Sequence, residues 1–208
     1  MCGIAGLIHR GKSSDVGNEL QLMLQALKHR GPDSTGYALY ADNDGENFIM
    51  RFKVGENVGE GSTSVNEDDS VYDKRKELVD QMLKNLNATV VKEEKLTPYS
   101  YRYEMKYDQD LMEFSKKIES IESVEILSIG KSLELIKDLG DAQAVSERYD
   151  LAKVKGTHGI GHARMATESG VDIKSAHPFW GYPFSDVSVV HNGQLTNYWN
   201  NRSCLLYT

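Results

Sequence analysis

The sequence predicts an α+β fold, and three kinds of segment carry that expectation. Stretches with apolar residues at helical spacing, stretches in which apolar and polar residues alternate, and short apolar runs punctuated by glycine are interspersed through the 208 residues. A chain of this length can bury a sizeable core, as one large domain or as one domain with an insertion.

Ile4, Ala5, Leu7 and Ile8 predict a buried strand over about 3–9. Asp15 is a candidate N-cap, after which Leu20, Met23, Leu24 and Leu27 recur at helical spacing. A polar loop over 29–36 follows, with Pro32 stopping the helix. Strands over 37–40 and 48–52, joined by Asp42-Asn43-Asp44-Gly45, predict a hairpin. Residues 55–70 read as a polar linker. Ser70 could cap a helix with Val71, Leu78, Val79, Met82, Leu83 and Leu86 on one face. Strands are expected over 89–92 and 99–107. In the second of these Tyr99, Tyr101, Tyr103, Met105 and Tyr107 alternate with polar residues, the pattern of a half-buried strand. A helix bearing Leu111, Phe114, Ser115, Ile118 and Ile121, a strand over 124–129 and a short helix over 132–139 ended by Gly140 complete this stretch. Residues 55–150 thus read as a compact α+β insertion, a docking or regulatory module. Glycine-rich strands over 159–167 and 187–193 and a helix start over 197–202 follow.

Composition narrows the function classes. The net charge of −7 argues against a nucleic-acid surface or a basic membrane patch, so the tyrosine stripe is read as core and not as a base-stacking platform. Cys2 and Cys204 are the two cysteines, too few for a disulfide framework or a thiolate zinc site. His158 and His162 are four apart, but Gly159 and Gly161 oppose a helix and no third ligand is evident; no metal is expected. The start lacks the pattern of a secretory signal, and no apolar stretch is long enough to span a bilayer, which predicts a cytoplasmic protein.

The candidate chemistry begins at Cys2. Removal of Met1 would leave a thiol and a free α-amine on one residue, and an α-amine of pKa about 7.7–8 can accept a proton near neutrality. One residue could then supply nucleophile and general base, with Gly3 leaving room for substrate. Cys2 can also be read as a small hydrophobe in a first strand. Asn192-Gly193 offers a side-chain NH₂ and a backbone N–H that suit an oxyanion hole, or alone a type I′ turn. Arg164 at a strand end suits a carboxylate, or a surface ion pair.

Five stretches together resemble the class II glutamine amidotransferases: Cys2-Gly3-Ile4-Ala5-Gly6, the loop from His29-Arg30-Gly31 to Gly36, Gly161-His162-Ala163-Arg164-Met165-Ala166-Thr167, Ala176-His177-Pro178 and His191-Asn192-Gly193. The form of 157–169 looks most like stand-alone proteins related to domain 1 of glutamate synthase. The resemblance implies a four-layer αββα sandwich of the N-terminal nucleophile hydrolase type, an amidotransferase domain over 2–208 interrupted by 55–150. It implies that Cys2 attacks L-glutamine to form a thioester, that Asn192 and Gly193 form the oxyanion hole, and that Arg164 and Thr167 bind substrate. Arg30 and Gly31 would shape the site. No cofactor is implied, and the ammonia would pass to a partner synthase subunit. Met165 and Glu168 depart from the family's usual Trp and His. The chain also ends before the region in which family members carry an acidic residue for the substrate amine. Two other readings stay open: an N-terminal cysteine acylase for another amide, and a catalytically impaired binding or regulatory relative.

Overall fold

The computed structural model describes residues 2–43, 45–55, 68–165, 173–193 and 196–206. Its elements in chain order are β1 (Gly3–Ile8), α1 (Val16–Ala26), β2 (Ser34–Ala41), β3 (Phe48–Lys53), α2 (Asp69–Asn85), β4 (Thr89–Thr97), β5 (Ser100–Lys106), α3 (Leu111–Ile118), β6 (Glu125–Gly130), β7 (Leu133–Leu139), α4 (Ala142–Arg148), β8 (Gly156–Arg164), β9 (Phe179–Trp180), β10 (Ser188–Val189) and α5 (Tyr198–Leu206). Two four-stranded antiparallel sheets, ordered β1-β8-β2-β7 and β4-β5-β3-β6, form the middle of the molecule, and β9 and β10 pair as a small extra hairpin.

Alternation along the strands builds the layers. On the first sheet Ala5, Tyr37, Leu39 and Ile136 pack with Leu20 and Leu24 of α1 and Val145 of α4. Tyr37 Oη also donates to the Ala142 carbonyl at 2.6 Å. On the second sheet Met50, Phe52, Tyr101, Tyr103 and Met105 pack with Val79 and Leu83 of α2 and Phe114 and Ile118 of α3. The tyrosines are therefore core. Between the sheets lies a smaller cluster of Ala38, Leu127, Leu133 and Leu135. The result is the αββα arrangement.

Several elements differ from expectation. Where a short helix is expected over 132–139, Leu133–Leu139 is a strand. Leu-Glu-Leu-Ile-Lys-Asp-Leu fits both periods, and the free edge of β2 takes it up, pairing Tyr37 with Ile136 and Ala38 with Leu135. The strands at 37–40 and 48–52 exist but are no hairpin. Each is buried along most of its length and has strand partners on both edges, β2 in the first sheet and β3 in the second. Asp68, not Ser70, caps α2, accepting from the Ser70 amide. Of the strand expected over 187–193, Ser188 and Val189 alone pair. The stretch 55–150 is threaded through both sheets: β4, β5 and β6 lie in the sheet of β3, and β7 lies beside β2.

Polar side chains of β7 tie the two sheets. Glu134 accepts from Arg51 Nε of β3 and Arg102 Nε of β5, each at 2.8 Å. Lys137 of β7 and Lys53 of β3 both reach the Glu125 carboxylate, at 3.1 and 3.0 Å. Asp138 accepts from Tyr99 Oη at 2.8 Å and Tyr149 Oη at 3.0 Å, and pairs with Arg148 at 2.7 Å. Burial by itself raises the Glu134 carboxyl, but Arg51 and Arg102 outweigh it and hold it at about 2.

Glu134→Ala should therefore cost about 3–5 kcal/mol in urea unfolding, because two guanidiniums lose their buried partner. Replacing Arg51, Glu134 and Arg102 together by apolar residues of similar volume should cost far less. The Glu134 contribution should be intact above its unfolded pKa of 4.5 and fade as pH falls toward 2.

Candidate functional site

Strand β8 carries the framework of the site. It runs between β1 and β2, with Gly3 opposite Ala163, and Ser34 opposite Arg164. Arg164 ends the strand and is buried, at 6% exposure. Cys2 stands directly before Gly3, so the antiparallel register carries it to the same sheet end as Arg164. It is half-buried, and its Sγ donates to the Met165 carbonyl at 3.9 Å.

Two loops close on this end. After a single 3₁₀ turn, Lys28–Arg30, the backbone of Gly31 lies against β8. A Cβ there would sit 2.4 Å from the Ala163 carbonyl oxygen, so this contact requires glycine. Arg30 itself is exposed on the turn. The Asp33 amide donates to the Arg164 carbonyl at 3.2 Å. From the other side, Asn192 Nδ2 donates to the Cys2 carbonyl at 2.9 Å, and Gly193 follows it on the exposed loop. Residues far apart in the sequence, Cys2, Gly31, Arg164 and Asn192, thus gather at one end of the first sheet. Thr167 lies outside the described residues.

A Methanothermobacter thermautotrophicus protein provisionally named a glutamine amidotransferase is 38% identical over 219 aligned residues, covering 99% of this chain and 65% of that protein. The glutamine amidotransferase-like protein GlxB of Rhizobium meliloti is 30% identical over 210 residues, covering 99% of this chain and 63% of GlxB. The chain is a homologue of glutamine amidotransferase-like proteins. It spans a little under two thirds of the length of these two relatives. A shorter match, 34% identity over 90 residues, covers 42% of this chain and 15% of the glutamine–fructose-6-phosphate aminotransferase of M. thermautotrophicus. No protein-family model matches the chain.

Beside this end of the first sheet lie histidines to which the sequence assigns no role. The signal was present in Ala176-His177-Pro178 and His191-Asn192-Gly193, but short motifs do not say which ring touches what. His162, two residues before Arg164, is 2% exposed, and neither ring nitrogen has a partner among the described residues. Its ring lies 5.1 Å from that of His177. His177 Nδ1 accepts the His191 amide at 3.0 Å. Burial first, then neighbouring cationic groups, pushes both His162 and His177 down to about 4, so both rings are neutral near pH 7. Among the described residues no group of three His, Cys, Asp or Glu side chains could hold a metal ion, and no helix is long and apolar enough to cross a membrane.

Histidines kept neutral in the fold take up protons more readily when the chain unfolds. Their contribution should be complete above the ordinary value of 6.5 and should be lost as pH falls from there to about 4. Urea midpoints measured across that window should fall. His162→Leu should flatten the fall and leave stability at pH 7 unchanged or raised, since it removes two unpartnered buried nitrogens.

Proposed function

We propose that this chain is the glutamine-hydrolysing part of a class II amidotransferase related to domain 1 of glutamate synthase. The observation that carries the reading is the 2.9 Å hydrogen bond from the Asn192 amide to the Cys2 carbonyl, at the sheet end where Arg164 terminates β8. Homology to glutamine amidotransferase-like proteins over nearly the whole chain supports it.

In this reading Met1 is removed and the Cys2 α-amine takes the thiol proton. The sulfur attacks the side-chain carbonyl carbon of glutamine. The developing oxyanion needs preorganised donors. An amide NH₂ has two hydrogens, so Asn192 can bond the Cys2 carbonyl with one and the oxyanion with the other, joined by the Gly193 N–H. Collapse of the intermediate expels ammonia, which leaves with the proton held by the α-amine, and a γ-glutamyl thioester remains. Water then attacks the thioester carbonyl, freeing glutamate and the thiol. Arg164 supplies a planar fork for the substrate α-carboxylate, Thr167 lines the same pocket, and Arg30 and Gly31 shape its rim. The ammonia passes to a synthase partner in the cytoplasm. No step uses a residue of 55–150, which builds scaffold and docking surface.

Cys2→Ala should abolish ammonia release from glutamine, while Cys204→Ser should not. Intact mass after treatment with a diazo-ketone glutamine analogue should show loss of Met1 and one adduct on Cys2. Asn192→Ala should lower kcat by about 10²–10³ with little change in KM. Arg164→Ala should chiefly raise KM. Full activity in Cys2→Ala, or an Asn192→Ala effect confined to KM, overturns the assignment.

A further inference from the structure

His177 is held on three sides. Its carbonyl oxygen lies over β2 at Gly36, so closely that a Cβ on Gly36 would meet it at 2.0 Å. Its ring faces His162 of β8 at 5.1 Å and meets the Phe179 ring edge-on at 4.5 Å. The backbone of His177 thus lies against Gly36 of β2 and its ring against His162 of β8, both in the first sheet. Its Nδ1 lies 3.0 Å from the amide nitrogen of His191. A backbone N–H can donate only to an imidazole nitrogen with a free lone pair, which assigns the ring proton of His177 to Nε2.

The next residue in the loop is Asn192, whose side chain reaches back to the Cys2 carbonyl. The sheet thus grips the loop at two adjacent residues: His177 holds the His191 backbone, and Cys2 holds the Asn192 side chain. Upstream the loop is joined to the β9–β10 hairpin through the pairing of Val189 with Phe179; beyond that pair the Asn192 bond by itself leaves 190–193 free to pivot about the contact. The second anchor removes this freedom and sets the direction of the remaining Asn192 N–H and of the Gly193 amide.

We propose that His177 is a positioning residue: its neutral Nδ1 anchors the His191 amide and so aims the Asn192-Gly193 donors at the reacting carbonyl. This rests on the glutaminase reading for what the donors do, while the anchoring itself does not. His177 touches no substrate atom. Its effect should fall on turnover, because misplaced donors weaken the transition state more than the ground state.

The test compares wild type, His177→Asn and His177→Leu in the full chain. Asparagine carries Oδ1 on Cγ, the same number of bonds from the backbone as histidine Nδ1, and can accept the same N–H. Leucine cannot. His177→Leu should lower kcat by about 10–100-fold with KM within about twofold, and His177→Asn should recover most of that loss. Hydrogen exchange at the His191 amide should be slow in wild type and His177→Asn and fast in His177→Leu. Equal kcat and equal exchange in the two variants overturn the proposal. Nitrogen-15 shifts of the His177 ring in wild type give an answer even should His177→Leu fail to fold. The Nε2–H tautomer supports the anchor, and the Nδ1–H tautomer overturns it. A wild-type protein without glutamine turnover overturns the proposed function instead, and the exchange and tautomer results then decide the anchor alone.

Discussion

The architecture depends on the bare surface of β8. Gly161 has no side chain where α1 crosses the strand, and a Cβ there would meet Leu24 Cδ1 at 2.5 Å. Gly159 gives similar room beneath Leu20. The helix can therefore lie close to the sheet, with Leu20 and Leu24 buried completely. Interiors are packed to crystal-like density, so a side chain at Gly161 would force Leu24 to repack, and one at Gly159 would crowd Leu20 and Leu39. The same strand is flanked by β1 and β2 and ends in Arg164. The packing that seats α1 thus also fixes the strand on which the candidate site is built.

The interface between the sheets has a different chemistry. Its apolar cluster is small, and much of the joining is done by charge on β7. Glu134, Lys137 and Asp138 reach Arg51, Arg102, Glu125, Tyr99 and Tyr149. Buried ions gain little over an apolar replacement, because desolvation offsets much of their attraction. They do penalise any other register, since a slip of one residue would strand each charge away from its partner. Strand β7 is accordingly specified by partners on the other sheet as much as by its own pairing to β2.

The candidate site sits where these constraints meet. Antiparallel pairing carries Cys2 to the Arg164 end of β8, Gly31 brings a loop against the same strand, and Asn192 and His177 hold the opposite loop. The strand register sets Cys2 and Arg164, and side-chain contacts hold the loop of Asn192 against them. This suits a site whose donors must be aligned before charge develops, because little reorganisation is then needed at the moment of reaction. His162 and His177 add no charge there near pH 7.

Much of the outline was legible in the sequence. Helices α1, α2 and α3 and strand β5 follow from periodicity, because burial of one face imposes that pattern whatever the partner is; β1 and β8 were legible as apolar runs with glycine, but Ile4 and Ile8 of β1, expected in a buried strand, are exposed. The motifs at Cys2, Arg164 and Asn192 were visible too, since reactive and polar residues stand out in apolar glycine-rich runs. Pairing was not legible. The 132–139 stretch satisfies helix and strand periods alike, and only the open edge of β2 and the cations on β3 and β5 make it a strand. The turn-rich 42–45 segment looks like a hairpin connection, but whether two neighbouring strands pair depends on which edges other strands already occupy. The composition shift at 55–150 does not coincide with a change of sheet, since β4, β5 and β6 join β3 and β7 joins β2. The anchoring contact of His177 lies furthest from the sequence. A histidine ring accepts one hydrogen bond as readily from many donors, and the fold alone brings the His191 amide within 3.0 Å of it.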